Sequence, residues 1–341
     1  MISRFKSAAR ILLKGDSKKK KRNPIPAITA KDVAEIKQFF PREKFFIFGH
    51  ARSGTTLLMR LLRLHPEVHC NYQAHFFTRQ PLLKSLVDTP EAEEWLARKS
   101  NRWNRGRDLS PLILRAAADF IMERDAAKEG KRIVGDKSPS STIHGQAVRD
   151  MHAIYPDAKL IYIVRDGRDV LVSERFRNLV EESRFLKAED KRIAEELRKD
   201  QSQFTNGTRS IFTENIIRRV STGWVKNVQE TESEGRGLFG ENYYSLRYED
   251  VLNRPFEEMQ RLWQFLGVQA AQSLEDDIIN EMISNPDEEW QAKRNEDIAS
   301  FLPKGQTGNW QRLFTPRDKS LFKEIADDML VKWKYEKDLN W

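Results

Sequence analysis

Apolar residues along this chain follow two rhythms, and their alternation predicts its architecture. Five short apolar runs read as strands: Phe45-Phe46-Ile47-Phe48, the stretch opening at Glu67-Val68-His69-Cys70, Lys131 to Gly135, Lys159 to Val164, and Tyr243 to Tyr248. The clearest, Leu160-Ile161-Tyr162-Ile163-Val164, is apolar nearly throughout, as a strand buried on both faces of a parallel sheet must be. Between the strands, apolar positions recur at helical spacing. They do so at Leu57, Leu58, Leu61, Leu62 and Leu64, within a mostly helical 80–130, over 143–153, and after Asp169. A further helix spans Pro255 to Leu266, with proline in its first turn and Gly267 at its end. A short helix over Lys31 to Phe40 leads into the first strand, and one from about Asp318 to Tyr335 closes the chain. Strands alternating with helices predict an α/β fold, a central parallel sheet flanked by helices, with ligands bound beyond the carboxyl ends of the strands.

Two segments leave this rhythm. Residues 1–30 read as a basic N-terminal tail, with Lys18-Lys19-Lys20-Lys21-Arg22 holding five cations in a row. Ahead of that run, Ile2, Phe5, Ala9, Leu12 and Leu13 share one helical face, which suits an anionic membrane surface as well as a solvated arm. Residues 181–213 are highly charged and contain Asn206-Gly207; they predict an exposed helical excursion and a candidate lid. The remainder, 31–341, reads as a single domain.

The polar chemistry gathers at strand ends. Gly49 and Gly54 bracket a loop after the first strand that carries Arg52 and Ser53 and runs into Thr55 and Thr56 at a helix start. The free amides and dipole of a first helical turn favour an anion, and hydroxyls and a guanidinium add donors. Spacing matches the nucleotide-triphosphate loop, but Thr55 stands where that loop has its lysine. A shorter, metal-free phosphoester or anhydride suits these residues better; an ordinary strand-to-helix connection is the plainer reading. A second polar cluster, Arg165-Asp166-Gly167-Arg168-Asp169, ends another strand, with Ser173 two turns into the next helix. Gly49, Lys137, Arg165 and Arg247 all close predicted strands, which puts them on one edge of the sheet.

Composition narrows the partners. A net charge of +8 fits an anionic small-molecule ligand, and neither zinc-finger spacing nor an aromatic–basic ladder points to nucleic acid. The single Cys70 excludes an internal disulfide and fits a reducing compartment. No apolar run approaches the roughly 18–20 residues of a membrane span, and the N-terminus lacks a secretory apolar core. A cytoplasmic protein is the expectation, with peripheral membrane contact open through its tail.

Arg52-Ser53-Gly54-Thr55-Thr56 after a strand resembles the 5′-phosphosulfate loop of sulfotransferases that use 3′-phosphoadenosine 5′-phosphosulfate (PAPS). The continuation through His65-Pro66-Glu67-Val68 is similar to the branch holding protein-tyrosine and many bacterial sulfotransferases. The resemblance covers roughly 44–315. It implies a three-layer, P-loop nucleotide-kinase-like fold and metal-free sulfuryl transfer from PAPS to a hydroxyl or amine. It places Arg52, Ser53, Gly54, Thr55 and Thr56 around the 5′ end, with Arg52 also at the transferring group. Arg165 and Ser173 fall to the 3′-phosphate, as do Lys304 and Gly305 in the late loop Pro303-Lys304-Gly305-Gln306-Thr307-Gly308-Asn309-Trp310. Pro303 and Asn309 stand where the family has arginine and aspartate. Tyr248-Glu249-Asp250 before Pro255 also matches, with a structural role. Lys137, in Asp-Lys-Ser-Pro, corresponds to a lysine at the bridging oxygen. The glutamate that the tyrosine-sulfating branch uses as base is absent: Asn71-Tyr72-Gln73 occupies that region. His75 is the nearest replacement, ahead of Glu67 and His69, against the alternative that it packs beside Phe76 and Phe77. A small-molecule kinase and a non-catalytic nucleotide-binding scaffold are the rival readings. Carbohydrate, lipid, peptide and small-metabolite acceptors all stay open, as does oligomeric state.

Overall fold

The computed structural model describes residues 22–79, 83–142, 144–180, 186–269, 272–284 and 306–341. Strands β1 (Glu43–Gly49), β2 (Val68–Tyr72), β3 (Ile133–Lys137), β4 (Lys159–Val164) and β5 (Tyr243–Arg247) pair in parallel in the order β2-β3-β1-β4-β5. The helices among the described residues are α1 (Ala30–Ile36), α2 (Thr55–Leu62), α3 (Pro90–Ala97), α4 (Ser110–Lys128), α5 (Gly145–Ile154), α6 (Gly167–Val180) and α7 (Ala188–Lys199). They continue with α8 (Ser202–Thr205), α9 (Glu214–Phe239), α10 (Tyr248–Asn253), α11 (Pro255–Leu266), α12 (Glu275–Ile283), α13 (Asn309–Leu313) and α14 (Pro316–Lys332).

The strands are apolar on both faces because both are covered. Phe45 and Ile47 of β1, with Ile161 and Ile163 of β4, meet Leu58 and Leu62 of α2 and Leu262 and Trp263 of α11. Their alternates Phe46, Phe48, Leu160, Tyr162 and Val164 join a larger core with Met122 of α4, Met151 of α5, Leu171 of α6, Trp224 of α9 and Phe322 of α14. Three layers result. Right-handed crossovers then dictate where a cleft opens. The β1-to-β2 connection runs one way across the sheet with α2 on one face. The β3-to-β4 and β4-to-β5 connections run the other way, with α5, α6 and α9 on the opposite face. Direction reverses at β1, so its carboxyl end is the switch point at which such sheets bind ligands.

Several predicted boundaries move for local reasons. The first helix stops at Ile36, since Phe40 precedes Pro41 and a residue before proline disfavours helix. The strand opening near Glu67 ends at Tyr72, because Gln73 and His75 are left-handed, with φ of 56° and 54°. The mostly helical 80–130 is split by a turn-rich loop over 98–109, in which Arg105 and Gly106 are left-handed. In the 181–213 excursion, α7 and α8 bury Ile193, Leu197 and Phe204, and Arg175 of α6 donates to Asp190 at 2.7 Å and to the Ile211 carbonyl at 2.6 Å. Most of the basic tail and residues 181–185 lie outside the described residues. No helix among the described residues is long and apolar enough to cross a membrane.

Candidate active site

The loop after β1 is shaped by close approach. A Cβ at Gly49 would stand 2.9 Å from the Ile163 carbonyl of β4. Gly54 has φ of 84°, and a Cβ there would stand 2.1 Å from the Tyr248 ring. Only glycine meets both demands at position 54. Gly54 is also the N-cap of α2 and contributes no side-chain cap, so the first-turn amides face the loop without a protein acceptor from that cap. Ser53 Oγ is buried and lacks a hydrogen-bond partner in the protein. Buried hydroxyls are seldom left so, and an anion seated on the helix end would supply the missing partner.

The second polar cluster converges on this loop. Arg165 donates to the Arg52 carbonyl at 3.1 Å and to the Gln306 carbonyl at 3.0 Å, and its guanidinium lies 4.9 Å from the centre of the Tyr248 ring. Its Nε is buried without a partner. Arg52, itself left-handed at φ 73°, donates from Nε to Ser173 Oγ at 3.0 Å. Arg52 therefore forms one cationic corner with Arg165 and Ser173, which lie more than a hundred residues beyond it in sequence but next to it in space.

What reads linearly as a charged turn divides into separate duties. The Asp166 carboxylate accepts from Arg168 at 3.0 and 2.6 Å, and the Arg168 guanidinium lies 3.8 Å from the Trp310 ring centre and 4.4 Å from that of Trp341. Asp169 accepts the Gly308 amide at 2.7 Å and the Trp310 amide at 3.2 Å. The motif thus fastens the described part of the late loop, from Gln306 onward, beside Arg165. Pro303, Lys304 and Gly305 lie outside the described residues; Gln306, where the description resumes, is already within reach of Arg165.

Lys137, the last residue of β3, closes the other side. Its side chain is fully buried, donates to Thr56 Oγ1 at 3.1 Å, and sits 4.0 Å from the ring centre of Tyr72, its register partner on β2. Burial pulls the Lys137 pKa down to about 8, against the opposing field of Asp136. Next to it, Asp136 accepts the Ala74 amide at 2.9 Å and the Ser138 hydroxyl; Ser138 Oγ in turn accepts the His75 amide at 2.8 Å. Burial raises the Asp136 pKa to about 6. The Gln73 amide donates to the Lys137 carbonyl at 2.9 Å, so the left-handed 73–75 turn is pinned along the end of β3. His75 is buried; Nδ1 shares a hydrogen bond with Thr78 Oγ1 at 2.8 Å, and Nε2 has no partner. Burial, aided by the charges of Arg79 and Lys137, lowers its pKa to about 4, which keeps the ring neutral near pH 7. The two sides are joined where the Ser138 and Ser140 amides donate to the Ile47 and Gly49 carbonyls, each at 3.0 Å.

Other predicted candidates are engaged elsewhere. Arg247 grips Asp250 at 2.9 and 2.7 Å. Glu67 accepts from Arg132 at 2.6 Å, and His69 is held between Glu129 and Asn71 at 3.0 and 2.9 Å. His65 shares a hydrogen bond with the Gln269 carbonyl at 2.9 Å. Asp136, Ser138, Thr78 and Asp169 are the site residues that reading in one dimension left without a role. Asp136 and Ser138 flank Lys137 in the Asp-Lys-Ser-Pro string, so that string was their only linear signal.

The sulfotransferase family profile matches residues 44–272. The protein-tyrosine sulfotransferase A of Caenorhabditis elegans is 25% identical over 227 residues, 65% of this chain and 49% of that protein. The protein-tyrosine sulfotransferase of Drosophila melanogaster is 24% identical over 227 residues, 65% of this chain and 38% of that protein. The chain thus spans half, or less, of the length of these curated relatives. Among solved structures, the sulfotransferase domain from the curacin biosynthetic pathway aligns at a TM-score of 0.47 and 18% identity, covering 84% of this chain and 97% of that one. Mouse sulfotransferase SULT7A1 complexed with PAP aligns at 0.44 and 17%, covering 88% and 89%.

Proposed function

The chain belongs to the sulfotransferase family, and from that premise we propose that it transfers a sulfuryl group from PAPS to a hydroxyl or amine. The observation that carries this reading is the contact between Arg165 and the Arg52 carbonyl at 3.1 Å, which makes one cradle of two basic clusters far apart in sequence. A bisphosphorylated nucleotide needs such a corner at each end. The unpartnered Ser53 Oγ and Arg165 Nε, both buried, and the space that glycine keeps open at position 54 fit this donor.

The donor, when bound, supplies an activated sulfuryl group on a phosphate leaving group. The chain supplies the rest. Ser53, Thr55, Thr56 and the opening amides of α2 hold the 5′ end, and Arg165, Ser173 and the late loop hold the 3′-phosphate. Arg52, fastened to Ser173, lies between the two ends. Lys137, beside Thr56, is the cation placed to stabilise charge on the departing oxygen. His75 is the proposed base: with Nδ1 donating to Thr78, Nε2 presents a free lone pair to the acceptor proton. Anionic donor charge nearby would raise the basicity of that ring. As the proton leaves, a bond forms between acceptor oxygen or nitrogen and sulfur, and the bond from sulfur to the phosphate oxygen breaks. The relatives named protein-tyrosine sulfotransferases favour a peptide tyrosine among the acceptors.

Thermal unfolding tests the donor. Adenosine 3′,5′-bisphosphate at a hundred times its Kd should stabilise the fold by about 2.7 kcal/mol by mass action, and ATP with magnesium should give little. Equal or larger protection by ATP with magnesium would instead support a small-molecule kinase. Protection by the bisphosphate with no turnover on a broad acceptor panel would support a non-catalytic scaffold.

A further inference from the structure

Next to the groups assigned to the donor, Arg168 is placed in an unusual way. Its side chain is buried, and the two indoles against it, Trp310 and Trp341, meet at 85° with ring centres 5.5 Å apart. The guanidinium fills the corner between them. Asp166 accepts from its Nε and Nη2, and Glu336 accepts from its Nη1. A cation so enclosed is unfavourable unless partners answer it on each side. Two of those partners, Glu336 and Trp341, come from the segment beyond α14, with Glu336 168 positions further along the chain.

That segment is folded back to reach the corner. Lys334 is left-handed at φ 59°, and the Tyr335 amide donates to the Leu330 carbonyl at 2.9 Å, which turns the chain off the end of α14. Arg247, at the end of β5, donates to the Lys334 carbonyl at 3.1 Å. The Tyr335 hydroxyl donates to Glu249 at 3.0 Å, and the other oxygen of Glu249 accepts the Asp166 amide at 3.0 Å. Farther along, Lys323 of α14 donates to the Leu339 carbonyl at 2.9 Å, and the Trp341 indole donates to Asp327 of α14 at 2.5 Å. Residues 333–341 therefore form a strap. Its ties end beside the donor corner: Asp166 follows Arg165, and Arg168 precedes Asp169, which holds the Gly308 and Trp310 amides. Gln306, four residues before Trp310, offers Arg165 its carbonyl.

We propose that Glu336 and Trp341 are positioning residues for the donor: through Arg168 and Trp310 they set where the late loop meets Arg165. This rests on the donor reading above and assigns the strap to the 3′-phosphate end alone. Neither residue is a ligand of the nucleotide. Among the described residues, the hydrogen bonds and ion pairs of the strap reach β5, α10, α14 and Arg168, and none reaches the loop after β1 or α2. A loop fixed before its ligand arrives spares the ordering cost of binding. Loosening the strap should therefore weaken what the late loop holds and spare the 5′ end.

Calorimetric titration of the full chain with adenosine 3′,5′-bisphosphate and with adenosine 5′-monophosphate tests this. The wild type should prefer the bisphosphate. Trp341→Ala should shrink that preference about tenfold by weakening the bisphosphate alone, and Glu336→Gln about threefold, the range of couplings carried through packed neighbours. Trp341→Phe keeps an aromatic face for Arg168 and should restore most of the preference. Glu336 is partly exposed, so its Gln variant keeps the test readable if Trp341→Ala does not fold. A strap that only stabilises the fold would lower the unfolding temperature and leave the ratio of the two affinities unchanged; that result overturns the proposal while the donor reading stands. A wild type with no preference for the bisphosphate would overturn the donor reading, and the role of the strap with it.

Discussion

Around Arg165, backbone and rings hold a side chain in place: the Arg52 and Gln306 carbonyls and the Tyr248 ring fix one guanidinium, while Asp166, Arg168 and Asp169 hold the neighbouring segments. Around His75 the order is inverted. Side chains hold backbone there: Asp136 and Ser138 of one segment accept the amides of Ala74 and His75 in another, and the imidazole is positioned as a consequence. The first region keeps its charge close to water, where the proposed function needs it for a phosphate. The second removes water, which pulls Lys137 down to about 8, near working pH, and His75 to about 4, so that its imidazole stays neutral with an open lone pair. Gripping a nucleotide needs permanent charge, and moving a proton needs a group whose charge is negotiable.

Three measurements would break or sharpen that contrast. The largest effect is expected at Lys137. Lys137→Met should lower kcat/KM on the order of a thousandfold and leave adenosine 3′,5′-bisphosphate affinity within a few fold. In the native protein kcat/KM should fall as pH rises past about 8, where the free ammonium form is lost, and Lys137→Arg should abolish that fall. Stability runs the other way. With a folded pKa near 8 and an ordinary value of 10.5, the unfolded chain holds more protons between those limits, so this residue's contribution to stability rises with pH across them. Wild-type pH profiles of turnover and unfolding should therefore diverge there; parallel profiles would remove Lys137 from the transfer step.

His75→Gln comes next, with turnover lowered about a hundredfold and nucleotide affinity retained. Full activity in this variant would move the base elsewhere. The smallest effect on chemistry is expected at Arg165. Arg165→Ala should weaken nucleotide binding about thirtyfold, the loss of charge-assisted hydrogen bonds worth about 2 kcal/mol. Turnover at saturating donor should stay near normal. Unchanged binding would separate Arg165 from the nucleotide, and a collapse of turnover at saturation would erase the division between the two regions.

The contrast also explains what was legible in one dimension. Gly54, Thr55 and Arg165 stood out because a candidate anion cradle is made locally, at a strand end and in the first turn of a helix; the role of Ser173 rested on the family resemblance. Strand periodicity located those ends within a residue or two at β1, β4 and β5. Arg247 carried the same linear signal and proved to be a partner of Asp250, since a strand-end cation can equally serve its own turn. His75 was picked out only as the nearest replacement for a missing carboxylate. Neither its left-handed backbone nor its tie to Ser138 is written near it in sequence.

By itself the sequence determined the alternation of strand and helix, and with it the edge of the sheet on which the polar clusters had to lie. Periodicity and helix-end chemistry depend on residues a few positions apart, so they can be read without the fold. Tertiary structure alone decided which of those polar groups lose their water and which find partners more than sixty residues away, as Lys137 finds Thr56 and His75 finds Ser138. Desolvation and long-range hydrogen bonds are properties of a packed volume, and proton affinities follow from both.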